Sequence, residues 1–317
     1  MSFSVLILGG SGFVGRALCE QLTRRLGADA RITVPTRRLQ HARSLQSLPG
    51  VTLVQADVFR DLPRLVPGHD AVVNLIAILQ GSAAAFEHVH VELPRRITAA
   101  MAGAGVRRLV HASALGVAEH APSRYLRSKA AGEAVLQVAT QTGGLELTLL
   151  RPSLLFGDGD RSVNLFARLQ KHFPVMPLGG ADARLRPVWV QDLARAIVEV
   201  LLRREAIGQT YEIAGPRELT LAELVRLAGR TAGHERPVLA LPAPLATLQA
   251  LALECLPGEP LLSRDNLASL SVPNVPGGGL PGLAELGIQP TALEAVLPGY
   301  LAPGAGVARL DAWRAKH

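Results

Sequence analysis

The stretch SVLILGGSGFVGRALCEQL, residues 4–22, decides the fold. Its first five positions, Ser4 to Leu8, form a short apolar run with no alternation of polar and apolar residues. A run of that kind reads as a strand covered on both faces. Gly9, Gly12 and Gly15 follow at G-x-x-G-x-x-G spacing and lead straight into a segment of period near 3.6. A tight turn after Gly9, close approach of a diphosphate to the backbone at Gly12, and close helix–sheet packing at Gly15 would each require glycine. Amides at the helix start, including those of Phe13 and Val14, together with the positive end of the helix dipole, suit an anion. Glycines alone would serve a purely structural turn as well; their place between a first strand and a first helix favours a dinucleotide site.

Outward from this unit the same alternation continues. Strands are expected at RITVP (31–35), VTLVQA (51–56), DAVVNLI (70–76), RRLVHAS (107–113) and LELTLLR (145–151), with helical patterns between them. Apolar strands separated by helices give a parallel sheet, and right-handed crossovers make it doubly wound. The fold class is therefore α/β, a Rossmann-type doubly wound parallel sheet with a smaller C-terminal lobe. The expected boundaries are 1–215 for the nucleotide-binding domain, with part of 152–190 on the substrate side, and 216–317 for the lobe. Within the later part, Asn164 to His172 carries a helical pattern, and the stretch RPVWVQDLARAIVEVLLRR reads as a short strand running into an amphipathic helix. Thr220 and Glu223 form a capping box that starts another helix.

Composition narrows the class. Hydrophobic residues make up 48% of 317, ample for a buried core, and no segment reaches the roughly 18 uninterrupted apolar residues of a membrane span. The N-terminal apolar run lacks a basic region and a cleavage site, so it reads as a strand and not a signal peptide, and a cytoplasmic location is the default. Cys19 and Cys255 have neither disulfide nor zinc spacing. The net charge of +7 is carried by scattered arginine doublets with few aromatics between them, which argues against nucleic acid. Only Lys129, Lys171 and Lys316 are lysines, so a lysine near a tyrosine is conspicuous.

An NAD site usually carries an acid about 20 residues past the glycines. Here the second strand ends PTRR. Thr36, Arg37 and Arg38 offer a hydroxyl and two guanidiniums, which suit a 2′-phosphate, so NADP is expected over NAD; as an alternative the arginines are solvated loop residues. Asp57, followed by Val58, is placed either to bond an adenine edge or to cap a helix.

In HAPSRYLRSKAAGE (120–133), Tyr125 and Lys129 are four apart on a helical pattern and share a face. A nearby ammonium favours phenolate and would let the tyrosine exchange a proton near neutral pH. Ser113 ends the fifth strand, where a hydroxyl could hold a reacting oxygen.

Gly9-x-x-Gly12-x-x-Gly15, Asp57, Ser113, Tyr125-x-x-x-Lys129 and Arg151-Pro152-Ser153 together resemble the short-chain dehydrogenase/reductase superfamily, in its extended or atypical branch with the nucleoside-sugar epimerases. More narrowly, GGSGFVGR, HVHVE, YLRSKAAGE, RPSLLFGDGD, PVWVQDLA and SRDNL are similar to bacterial relatives of an NAD(P)H-binding accessory subunit of respiratory complex I. The resemblance implies that Ser113 orients substrate, Tyr125 is the acid/base, Lys129 depresses its pKa and holds the nicotinamide ribose, and Pro152 and Ser153 lie near the nicotinamide. One departure from the pattern is NLIA (74–77), ending at Ala77, which stands where many members have a Gly- or Ala-rich turn. Implied functions are hydride transfer with a carbonyl or alcohol of unknown identity, a nucleotide-bound structural role in a membrane-associated or respiratory complex peripheral to the inner membrane, or sugar-nucleotide epimerisation.

His88 and His90 would diverge by about 200° on a helix and could not chelate together, and no metal site is expected. Arg184, Arg186 and Trp189 are read either as cleft residues or as ordinary lobe packing. The apolar stretch PAPLATLQALALECL (242–256) is expected to pack on the main domain, with a partner or a membrane surface as the other readings.

Overall fold

The computed structural model describes residues 2–255, 258 and 260–305. Along the chain run β1 (Phe3–Leu8), α1 (Phe13–Leu26), β2 (Ala30–Thr36), β3 (Val51–Gln55), α2 (Val58–Leu65), β4 (Ala71–Asn74), α3 (Ala83–Glu87), α4 (Leu93–Ala104), β5 (Arg108–Ala112), α5 (Arg124–Gly143) and β6 (Glu146–Pro152). There follow β7 (Leu155–Phe156), α6 (Val163–His172), β8 (Met176–Gly179), β9 (Arg184–Leu185), β10 (Val188–Trp189), α7 (Val190–Leu202), β11 (Thr210–Ile213), β12 (Leu219–Thr220) and α8 (Leu221–Thr231). The last are β13 (Val238–Leu241), α9 (Ala243–Glu254), α10 (Arg264–Leu270), α11 (Leu293–Val296) and α12 (Pro298–Leu301).

All six expected strands form, and they lie in one parallel sheet ordered β3-β2-β1-β4-β5-β6-β11. The seventh, β11, was not expected: four residues with polar Thr210 and Glu212 give too weak a pattern. The order reverses beside β1, the position at which open α/β sheets bind ligands beyond the carboxyl ends of their strands. Val5 to Leu8 are fully buried, as an uninterrupted apolar run requires. Leu8, Asn74 and His111 are aligned in register across β1, β4 and β5, so β1 and β4 end level and β5 runs one residue further.

Two compact units emerge, and the chain interleaves them instead of changing over once at 215. Among the described residues, one comprises 2–152, Val190–Ile213 and Gly277–Gln289; the other holds Ser153–Trp189, the described part of 214–276, and 290–305. In the first, Glu212 donates its amide to Pro281 O at 2.8 Å, so the 277–289 segment covers the β11 edge. In the second, Phe156, Val163, Met176, Leu185, Leu221, Leu224, Val225 and Leu293 share a core built from all its segments. The Thr220–Glu223 capping box forms as expected at the start of α8. The apolar stretch from Pro242 becomes α9, packed within its own unit through Ala246 and Ala250; its last residue, Leu256, lies outside the described residues, as does Lys316. Among the described residues no helix is long and apolar enough to cross a membrane.

Candidate active site

The glycine turn is built as its spacing demands. Gly9 has φ +85°, a left-handed conformation that favours glycine, and Gly12 donates its amide to Gly9 O at 3.0 Å. A Cβ on Gly15 would stand 2.4 Å from Gly10 Cα, so the first turn of α1 rests directly on the loop backbone. Gly12 caps α1 without a side-chain bond, and its first turn, at Phe13 and Val14, holds no acid. Those helix-start amides and the positive end of the dipole form an anion cradle that fits a diphosphate. Arg16 steadies the loop by donating to Ser11 O at 3.0 Å and to His41 O at 3.1 Å.

Thr36 is buried at the end of β2, its Oγ accepting the Arg38 amide at 3.3 Å. Arg37 and Arg38 project as exposed residues from this turn, and neither forms an ion pair among the described residues. Asp57 is a helix cap: its Oδ1 accepts the Phe59 amide at 3.0 Å as α2 begins at Val58. Ala77 is exposed between two tethered amides, those of Ile76, donated to Asn74 Oδ1 at 3.2 Å, and Ile78, donated to His90 Nε2 at 3.2 Å.

Ser113 is buried beyond the end of β5, and among the described residues its hydroxyl has no hydrogen-bond partner. A buried hydroxyl left unpaired costs about 1–3 kcal/mol, so its place at the carboxyl end of the sheet suits a ligand oxygen. Lys129 is buried, and its Nζ donates to the carbonyl of Ala112, the residue before Ser113, at 2.7 Å. Burial lowers the Lys129 ammonium to about 8 against the opposing pull of Glu133. Glu133, one turn further along α5, is locked to Arg151 of β6 through two bonds, at 3.0 and 2.5 Å, which anchors the helix beside the strand.

Tyr125 packs edge-on against His90, with ring centres 5.6 Å apart, and against Phe86 at 6.3 Å. Burial pushes its phenol up to about 12, the reverse of the depression expected from a neighbouring lysine. The physical reason is that desolvation disfavours phenolate while Lys129 is bonded to Ala112 O.

Sequence reasoning missed three residues around this site. Asn74 accepts the Ile76 amide on Oδ1, so its Nδ2 donates to His111 Nδ1 at 3.0 Å. His90 accepts the Ile78 amide on Nε2, so Nδ1 carries the proton toward Ser128 Oγ at 2.8 Å, and Ser128 in turn donates to Tyr125 O at 2.8 Å. Both rings are held neutral: burial and the Lys129 charge lower His90 to about 3 and His111 well below the usual range. His90 lies in a π-helical turn, His88–Glu92, between α3 and α4, while His88 stacks on Phe59 at 4.0 Å. The HVHVE motif was the available signal, but nothing in it announces a π turn.

Pro152 ends β6, its carbonyl accepting the Leu115 amide at 3.0 Å. Ser153 opens the second unit, where its hydroxyl is bonded to Asn274, to Oδ1 at 2.6 Å and to the carbonyl at 3.0 Å. Arg184 pairs with Glu218, and Arg186 donates to Gly215 O at 2.7 Å, both within that unit.

A family model described as the NAD dependent epimerase/dehydratase family matches residues 5–214. The chain is 31% identical over 301 residues to the Mus musculus protein named NADH dehydrogenase (ubiquinone) 1 alpha subcomplex subunit 9, mitochondrial, covering 91% of this chain and 77% of that one. It is 28% identical over 246 residues to ceramide reductase of Caulobacter vibrioides, covering 76% and 74%. In fold it is similar to DesIV, a dTDP-glucose 4,6-dehydratase from Streptomyces venezuelae with NAD and TYD bound, at TM-score 0.72 and 23% identity, covering 94% and 96%.

Proposed function

The chain belongs to the NAD dependent epimerase/dehydratase family, and on that premise we propose that it holds NADP(H) and reduces a carbonyl, or oxidises the matching alcohol, at the end of β5. The observation that carries this reading is the unpaired, buried hydroxyl of Ser113 next to the carbonyl that holds Lys129. A ketone oxygen would satisfy Ser113. The Tyr125 phenol would give that oxygen its proton, and Lys129 would hold the nicotinamide ribose. The bound nicotinamide supplies the hydride. The glycine turn would take the diphosphate, Thr36, Arg37 and Arg38 the 2′-phosphate, and Pro152 would border the nicotinamide, whereas Ser153 would have to exchange its bonds to Asn274 to do so.

Tyr125→Phe should abolish turnover of a carbonyl substrate while leaving NADPH affinity within about twofold. Arg37→Ala should weaken NADPH but not NADH, measured by quenching of protein fluorescence. Equal loss for both nucleotides would remove the 2′-phosphate assignment.

A second reading, a nucleotide-holding subunit of a respiratory complex with little turnover, is favoured by the phenol's upward shift together with the mouse relative. Co-purification with a quinone-linked complex, combined with an inert Tyr125→Phe phenotype, would select it.

A further inference from the structure

His90 joins segments of the first unit that are far apart in sequence. Its Nε2 accepts the Ile78 amide at 3.2 Å, in the loop that follows β4. Its Nδ1 lies 2.8 Å from Ser128 Oγ on α5, and Ser128 Oγ lies 2.8 Å from the carbonyl of Tyr125. The place of every proton in this chain is forced. A backbone N–H can only donate, so in the neutral ring Nε2 is bare and Nδ1 carries the proton. Ser128 accepts that proton's bond and has its own hydrogen left for a carbonyl, which can only accept. The chain therefore runs one way, from Ile78 through His90 and Ser128 to the turn of α5 that presents Tyr125.

The ring is held by packing as well. Phe86 lies tilted against it with ring centres 5.6 Å apart, and Tyr125 meets it edge-on at 5.6 Å. The π turn fixes the backbone beneath, setting His90 O where a Cβ on Gly132 of α5 would stand 2.0 Å away. Packing alone would not ask for imidazole here. Leucine would fill a buried site beside two aromatic rings with no polar atoms to satisfy, whereas each nitrogen of a buried imidazole needs a partner. Both partners lie on segments that border the proposed reaction: Ile78 follows Ala77, and Ser128 bonds the residue that would give the proton.

We propose that His90 is a positioning residue for Tyr125: its Nδ1 proton, given to Ser128, holds the turn of α5 that aims the phenol, while Nε2 ties the loop after β4 to that turn. This role rests on the carbonyl-reduction reading above and adds to it the residue that sets the phenol's place. His90 acts through Ser128 and through the edge-on contact with the Tyr125 ring, not by touching substrate or nicotinamide. Loss of the clamp leaves the phenol chemically intact but free to spread over orientations. That lowers the rate of proton transfer and leaves ground-state binding in place.

The test compares variants of the full chain in the reduction of para-nitrobenzaldehyde by NADPH, followed by loss of NADPH absorbance. Fluorescence quenching gives NADPH affinity, and urea titration gives stability. His90→Leu should lower kcat by about tenfold or more, with KM and NADPH affinity within about threefold. His90→Asn places an amide N–H near the Nδ1 position, keeps donation to Ser128, and should recover most of kcat. His90→Gln reaches the Nε2 position, keeps the acceptor for Ile78 but not the donor, and should recover stability without kcat. Ser128→Ala, a change that favours the helix, should leave stability unchanged yet lower kcat by about tenfold. His90→Leu and Ser128→Ala combined should cost no more than either alone, because they break one chain. With wild type active, an unchanged kcat in His90→Leu or Ser128→Ala overturns this role and leaves the reductase reading standing. Additive losses do the same, as does a kcat that follows stability alone or is recovered by His90→Gln in preference to His90→Asn. A wild type that binds NADPH but does not reduce the aldehyde removes the reductase reading, and this role with it.

Discussion

Lys129 carries its charge against its surroundings. Because burial lowers its ammonium from 10.5 to about 8, the unfolded chain binds a proton that the folded one releases between those values. Stability from this group therefore rises with pH across about 8 to 10.5, and a constant penalty remains below pH 8. Lys129→Met should raise the urea midpoint at pH 7 and flatten that rise, while weakening NADPH. The histidines have the same sign at lower pH. His90, at about 3, and His111 resist protons that the unfolded chain accepts, so stability falls as pH drops below about 6.5. Acid unfolding followed by far-ultraviolet circular dichroism should be shallower in His90→Gln, and an unchanged curve would refute the assignment. Tyr125 and Lys129 could be named from the sequence because four residues is one helical turn. Asn74 and His111, each inside an apolar run and paired across 37 positions, left no local mark.

At the scale of elements, the decisive contact is α5 against the π turn. Gly132 of α5 lies where a Cβ would stand 2.0 Å from His90 O, so backbone meets backbone. Replacing a helical glycine by alanine ordinarily gains about 1 kcal/mol. Here the clash should reverse that, and Gly132→Ala should destabilise by about 1–3 kcal/mol in urea titration. The affected atoms are those that hold His90, and through Ser128 the Tyr125 turn, so under the proposed reading turnover should suffer along with stability. The pair Glu133–Arg151 works in the same place. With Glu133 fully buried, Glu133→Gln should cost about 3 kcal/mol by leaving the Arg151 charge without its partner. Sequence periodicity marks both helices. It does not reveal that one extra residue in a turn brings a carbonyl against a glycine 42 positions later, because that contact joins segments with no shared pattern.

For the whole molecule, the interleaving of the two units has consequences for any dissection. A fragment ending at residue 215 would keep Phe156, Val163, Met176 and Leu185 without Leu221, Leu224, Val225 and Leu293 over them, and would strip the 277–289 segment from β11. It should aggregate or bind a hydrophobic dye, whereas the full chain should unfold with NADPH-dependent midpoints, checked by calorimetry. Saturating NADPH at about a hundred times its Kd should stabilise the full chain by about 2.7 kcal/mol. By itself the sequence determined the parallel sheet, the glycine turn and the helix carrying Tyr125 and Lys129, because strand burial, turn geometry and helical pitch are set by neighbours along the chain. Only the tertiary structure decided the seventh strand, the exchange of segments between units and the neutral histidines. Each of those depends on which distant surfaces meet, and burial, the force that fixes charge and orientation, is a property of the assembled molecule.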